Sequence, residues 1–146
     1  MNQEYPGEWL TSPTQSIDDN SKTIFVTGRT DVDKFRLNPR YSIRVEISLP
    51  YGHTPSGLPD ATTAELLGQI TDNLVETFKR DTVAVLTGIY TGNNMRNWVF
   101  YTKNTHIFQG RFNQALAELP LLPISIIAEN DPEWEEYAEM KSAIED

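Results

Sequence analysis

The chain has 146 residues, of which 38% are hydrophobic, 23% charged and 10% aromatic, the balance of one globular domain with a single core. Twelve Lys and Arg stand against twenty-one Asp and Glu, and the net charge of −9 argues against nucleic-acid binding through a general electrostatic footprint. Cysteine is absent, which excludes disulfides, thiol catalysis, iron–sulfur clusters and cysteine-ligated zinc.

Met1 to Ser21 is polar and without apolar periodicity, and reads as a loosely ordered arm that Tyr5, Trp9 and Leu10 could pin to a surface. Residues 22–146 are expected to form one domain. Lys22–Arg29 has the β-branched and aromatic content of a strand. In Tyr41–Leu49, apolar Tyr41, Ile43, Val45, Ile47 and Leu49 alternate with polar residues, the period of a strand with one buried face. Pro50–Pro59 is turn chemistry. Asp60 suits the N-cap of a helix reaching about Arg80, with Leu67, Ile70, Leu74 and Phe78 on one stripe. Thr82–Thr91 and Met95–Thr102 read as strands joined through Gly92-Asn93-Asn94. Asn104 can cap a second helix carrying Phe108, Phe112, Ala115, Leu116 and Leu119, stopped by Pro120. Leu122–Ala128 is expected to be the last strand, and Asp131-Pro132 to open a short third helix with proline at its first position.

From Tyr41 onward the order is β-α-β-β-α-β. Two interleaved split β-α-β units of this kind give a ferredoxin-like antiparallel sheet with both helices on one face. The fold class is therefore α+β, with an extra N-terminal strand at one edge and a short C-terminal helix.

No stretch combines residues into a reaction centre. His53 lies in the Pro/Gly loop and His106 in a first helical turn, neither at metal-ligand spacing. No glycine run matches a phosphate-binding loop, and no serine sits in a nucleophile elbow. The expectation is no catalytic residue, no cofactor and no metal. Lys34, Arg36, Arg40 and Arg44, with Phe35 and Tyr41 between them, are the one basic and aromatic cluster, offset by Asp31, Asp33 and Glu46. Residues 129–146 carry eight acidic side chains against Lys141, a net of −7. Neither a secretory leader nor a membrane-length apolar stretch is visible, so the expected location is cytoplasmic.

Met95–Lys103 (MRNWVFYTK) is the most informative segment. Trp98 and Phe100 would lie on one face and Val99 and Tyr101 on the other; one face would meet the helices and the opposite one would be left an open apolar patch. A C-terminal helix with Trp134, Tyr137 and Ala138 on one stripe could cover that face, as could a second copy or a partner.

Gly57-Leu58-Pro59-Asp60, Leu86-Thr87-Gly88, Arg96 with Tyr101, and the closing Asp131-Pro132-x-Trp134-x-x-Tyr137 resemble the bacterial family catalogued as domain of unknown function 695. The likeness runs from about Tyr41 to Met140; the family's usual proline after the last aromatic is missing. The family is similar to the regulator of ribonuclease activity B group. The resemblance implies a non-catalytic, ferredoxin-like regulatory or binding module and transfers no catalytic residue. The partner would be another protein or a second copy, met on a surface including Arg44, Arg96, Tyr101, Trp134 and Tyr137. The alternative is a small-molecule-binding protein or enzyme with a pocket where Arg96, Tyr101 and Arg44 converge.

Overall fold

The elements follow in the order β1 (Leu10–Gln15), β2 (Thr23–Gly28), α1 (Asp33–Arg36), β3 (Ile43–Pro50), α2 (Ala61–Lys79), β4 (Ala84–Gly92), β5 (Met95–Thr102), α3 (Thr105–Ala115), β6 (Ser125–Asn130) and α4 (Glu135–Glu145). The structure is a computed structural model that describes residues 10–15, 23–29, 32–51, 58–79, 83–92, 94–119 and 122–145. It is a mixed helix and strand fold on a six-stranded sheet of order β1-β2-β4-β5-β3-β6, with every pairing antiparallel. No described helix is long and apolar enough to cross a membrane.

The alternation in β3 does what its period requires. Val45, Ile47 and Leu49 are buried beneath α2 and α3, while Arg44, Glu46 and Ser48 lie on the other face. Asp60 caps α2 by accepting the Thr63 amide at 2.8 Å, and Leu67, Ile70, Leu74 and Phe78 form its buried stripe. Phe78 and Phe108 stack at 4.9 Å, and Phe100 meets Phe78 at 4.9 Å and Phe108 at 5.1 Å, so one aromatic cluster joins both helices to β5. The Trp98 indole N–H, buried in this layer, donates to the Thr71 hydroxyl at 2.9 Å. At the β4–β5 turn, Asn94 adopts φ 64°, the left-handed conformation that asparagine tolerates.

Several boundaries differ from expectation. Tyr41, expected in β3 on the face of Val45 and Ile47, precedes the strand and packs into the opposite core, and the last strand runs on to Asn130. Within the stretch read as an arm, Leu10–Gln15 pairs with β2 and forms the sheet edge. The second helix ends at Ala115, well before Pro120. The Leu116 amide bonds the Phe112 and Gln114 carbonyls, and tighter turns carry the chain to Leu119. The last strand begins at Ser125 rather than Leu122, because the Ile124 amide closes a turn on the Leu122 carbonyl and Pro123 has no donor for the ladder. The C-terminal helix begins at Glu135, so Pro132 lies in a preceding turn and not at the first helical position.

One irregularity sets which side chains reach which face. Leu86 pairs with Phe100 and Gly88 with Val99, so Thr87 is an extra residue, a β-bulge. The bulge keeps Ile89 on the α2 side, beside Trp98, and places Gly88 against Met140 on the far side. The Thr87 hydroxyl donates to the Val99 carbonyl at 3.2 Å, and the Thr87 carbonyl accepts the Arg29 amide at 3.0 Å.

Candidate functional site

The second face of the sheet carries its own core. Val26, Val32, Phe35, Tyr41, Val85, Tyr101, Trp134, Tyr137 and Met140 are buried together. The cover is thus intramolecular, but its stripe is Trp134, Tyr137 and Met140. Ala138, expected on that stripe, is exposed, because it follows Tyr137 by one residue and so turns about 100° away around the helix.

Asp131 organises this cover. Its Oδ2 accepts from the Tyr101 hydroxyl at 2.6 Å and the Glu136 amide at 3.1 Å, and its Oδ1 accepts from the Glu135 amide at 2.9 Å. Its own amide donates to the Ser42 carbonyl at 2.8 Å. The carboxylate therefore caps α4 from four residues upstream, and Trp134 between them takes φ 55°, a conformation a bulky side chain rarely adopts. The Trp134 ring holds that conformation: it stacks on Tyr101 at 4.0 Å and 9°, and its indole N–H donates to the Tyr41 carbonyl at 2.7 Å. Tyr137 completes the clasp. Its amide donates to the Tyr101 oxygen at 3.3 Å and its hydroxyl donates to the Arg29 carbonyl at 2.7 Å.

Burial, the hydrogen bond to Asp131 and that carboxylate's charge all push the Tyr101 hydroxyl far above the ordinary phenol range. Burial alone would raise Asp131, but hydrogen bonds from Tyr101, Glu135 and Glu136 together with the Arg44 charge outweigh it and hold the carboxyl below its usual value. Arg44 stands opposite Tyr101 on β3, with Nη2 3.3 Å from Glu46 and Nη1 3.3 Å from Glu129. Burial would lower the guanidinium, yet the charge and hydrogen bond of Glu46, with Glu136 and Tyr101 adding to them, outweigh it and raise it. Burial also pushes the neighbouring Tyr90 phenol up to about 12. The cavity among Arg44, Thr87, Tyr90, Glu136, Tyr137 and Met140 is about 10 Å³, room for one water.

The structure thus brings four of the five candidate residues, Arg44, Tyr101, Trp134 and Tyr137, into one cluster. Three of them, Tyr101, Trp134 and Tyr137, are at most 3% exposed, so they form the inside of a clasp and offer no outer contact surface. Arg96 is elsewhere. It alternates with Asn97 and so projects to the α2 face, where its Nε donates to the Thr91 hydroxyl at 2.8 Å and its guanidinium lies 5.9 Å from the Trp98 ring. The convergence of Arg96 with Arg44 and Tyr101 does not occur, because the sheet lies between them.

The basic cluster has a similar outcome. Phe35 and Tyr41 are 1% and 3% exposed and pack edge to face at 5.1 Å, so neither ring is open for a base to stack on. His106 is exposed in the first turn of α3, while His53 and Gly57 lie outside the described residues.

On the α2 side, a groove of about 460 Å³ runs between α2 and the sheet. Thr27 and Ile89 form its floor, and Thr71, Asp72, Val75 and Glu76 its wall. The row next to this floor continues through Phe25, 37% exposed, and Thr91 to Arg96.

The family of unknown function DUF695 matches residues 11–140. The chain belongs to DUF695. No match to it was found among curated proteins or solved structures. The motifs that carried the resemblance now have physical duties in this DUF695 chain. Asp60 caps α2, Thr87 is the bulge, and Tyr101, Asp131, Trp134 and Tyr137 are the clasp. The residues that sequence reasoning missed are those of the groove. Asp72 and Glu76, four apart on the wet side of α2, were the available signal, but only sheet order shows that strands extend beneath them.

Proposed function

We propose that this chain is a non-catalytic binding module that captures a basic amphipathic helix of a partner protein in the groove beside α2. The observation that carries this is the groove itself, an apolar floor at Ile89 beside an acidic wall at Asp72 and Glu76. Its origin is architectural. The order β4-β5-β3-β6 with α2 and α3 on one face is what two interleaved split β-α-β units produce, and we read it as ferredoxin-like. Adding β2 and β1 at the β4 edge widens the sheet beyond α2; α4 packs on the opposite face of that flank, and among the described residues no helix covers it on the α2 face.

The occupant's chemistry follows from what lines the groove. β2 is paired on both sides, to β1 and β4, so no free strand edge is available there. An incoming segment must satisfy its own backbone, which favours a helix over a strand. The two carboxylates and the net charge of −9 select a basic one, and the same charge opposes a second copy of this chain.

A designed Lys/Leu amphipathic helix and its Glu/Leu counterpart, titrated by fluorescence anisotropy, test the proposal. The Lys/Leu peptide should bind in a salt-sensitive manner, and amide shifts should localise to α2, β2 and β4. The double variant Asp72→Lys/Glu76→Lys should weaken it by roughly tenfold or more and admit the Glu/Leu peptide. Peptide affinity indifferent to that reversal, or self-association through this face in sedimentation, would overturn the reading.

A further inference from the structure

Two arginines on the central strands are treated differently by the fold. Arg44 is flanked by Glu46 and Glu129. Arg96, half-buried, has no carboxylate partner among the described residues, and the bordering stretches 51–59 and 92–95 contain no acidic residue in the sequence. Its guanidinium is nevertheless held in place. The Thr91 hydroxyl occupies Nε, the Trp98 ring lies 5.9 Å away, and the Tyr51 phenol lies close enough to interact electrostatically. The Tyr51 amide in turn donates to the Asn94 carbonyl at 3.0 Å, fixing the loop start to the β4–β5 turn.

We infer that Arg96 is an anion seat, and that it takes the carboxylate of a ligand through its two terminal nitrogens. A partly buried cation with no counter-charge among the described residues leaves desolvation uncompensated, and a planar carboxylate matches the fork that Nη1 and Nη2 present once Nε is engaged. Burial accordingly lowers the Arg96 basicity, with Tyr51 opposing that only in part. A carboxylate suits the seat better than a phosphate dianion: one guanidinium offers a single positive charge, and the chain's net −9 penalises each further negative charge. This seat is separate from the helix-binding reading of the groove, since its probe is the small anion alone and no peptide enters the test.

The test is a titration of the full ¹⁵N-labelled chain with sodium acetate against sodium chloride at matched ionic strength, then with inorganic phosphate. It follows the Arg96 Nε–H and Trp98 Nε1–H resonances. Acetate should shift both saturably. Arg96→Gln should abolish the response and Arg96→Lys should weaken it by roughly tenfold, because lysine keeps the charge and loses the fork. An unchanged Trp134 Nε1–H resonance reports that each variant keeps the clasp; if a variant does not fold, the wild-type titration decides alone. A response identical in acetate and chloride, acetate saturation persisting in a folded Arg96→Gln variant, or tighter binding of phosphate than of acetate would each overturn the assignment.

Discussion

Replacing Tyr101 by Phe removes one oxygen from the clasp and leaves its shape intact. The stack on Trp134 at 4.0 Å survives, because the ring is unchanged. Two bonds are lost: the 2.6 Å donation to Asp131, and the acceptor for the Tyr137 amide at 3.3 Å. A hydrogen bond to an ionised group contributes about 1.5–3 kcal/mol, and a buried donor left without a partner costs about 1–3 kcal/mol. Asp131 keeps the Glu135 and Glu136 amides, and the Tyr137 amide belongs to the first helical turn, where unpaired donors are commonest. Both arguments place the expected loss near the lower end of the combined range of about 2.5–6 kcal/mol, at about 3 kcal/mol. At roughly 3 °C per kcal/mol for a chain of this length, the melting temperature should fall by about 9 °C. Urea unfolding monitored by circular dichroism should show a lower midpoint with an unchanged slope. A double-mutant cycle with Asp131→Asn should then give a coupling above about 1 kcal/mol. If Tyr101→Phe unfolds within about 0.5 kcal/mol of wild type, or the cycle is additive, the clasp is not held by this bond and the account of α4 fails.

Trp134→Ala should cost about 3–5 kcal/mol, since it empties a site 1% exposed and leaves the Tyr41 carbonyl without its donor; urea midpoints measure it, and a loss under about 1 kcal/mol would contradict the packing argument. Asp131, whose folded value lies below its ordinary carboxyl range, adds stability that is fully present above an unfolded pKa of about 3.9 and is lost as pH falls through the lower folded value. In that window the unfolded chain binds more protons, so wild-type stability should rise with pH more steeply than that of Asp131→Asn. Parallel curves between about pH 5 and 2 would refute the sign.

Periodicity makes the α2-side core legible in the sequence. Ile47, Leu67, Ile70, Leu74, Phe78 and Phe108 are buried together where matching strand and helix faces required it, and the caps Asp60 and Asn104 act as read. The far side was less legible, because its cover depends on backbone geometry that no local pattern encodes. Asp131 and Pro132 have the residue types of a helix start, yet the carboxylate reaches the amides of Glu135 and Glu136, across the left-handed Trp134. That offset replaced Ala138 by Met140 on the buried stripe. The four-residue α1, with Phe35 buried against Tyr41, is too short to show a period at all. Arg96 was misplaced for a different reason. Strand parity separates it from Arg44 and Tyr101, since Arg44 pairs with Tyr101 and Arg96 is five residues away, an odd number, on β5.

The division of labour among the motif residues narrows where function can reside. Tyr101, Asp131, Trp134 and Tyr137 have their side-chain polar atoms engaged with one another, with the Glu135 and Glu136 amides or with the Arg29 and Tyr41 carbonyls, and the adjoining space admits one water. Their chemistry is consumed in holding α4 to the sheet, so a family resemblance resting on them traces the fold's closure. Arg96 is different: it lies on the other side of the sheet, makes no bond within the clasp, and carries a charge no described acid balances. A packing role alone would be met more cheaply by an apolar side chain over Trp98, because burying an unpaired cation is costly. Arg96 is also aligned, through Thr91 and Phe25, with the row beside the groove floor. Both proposed contacts, the helix groove and the anion seat, therefore lie on the α2 face, while the aromatic clasp closes the opposite face of the sheet.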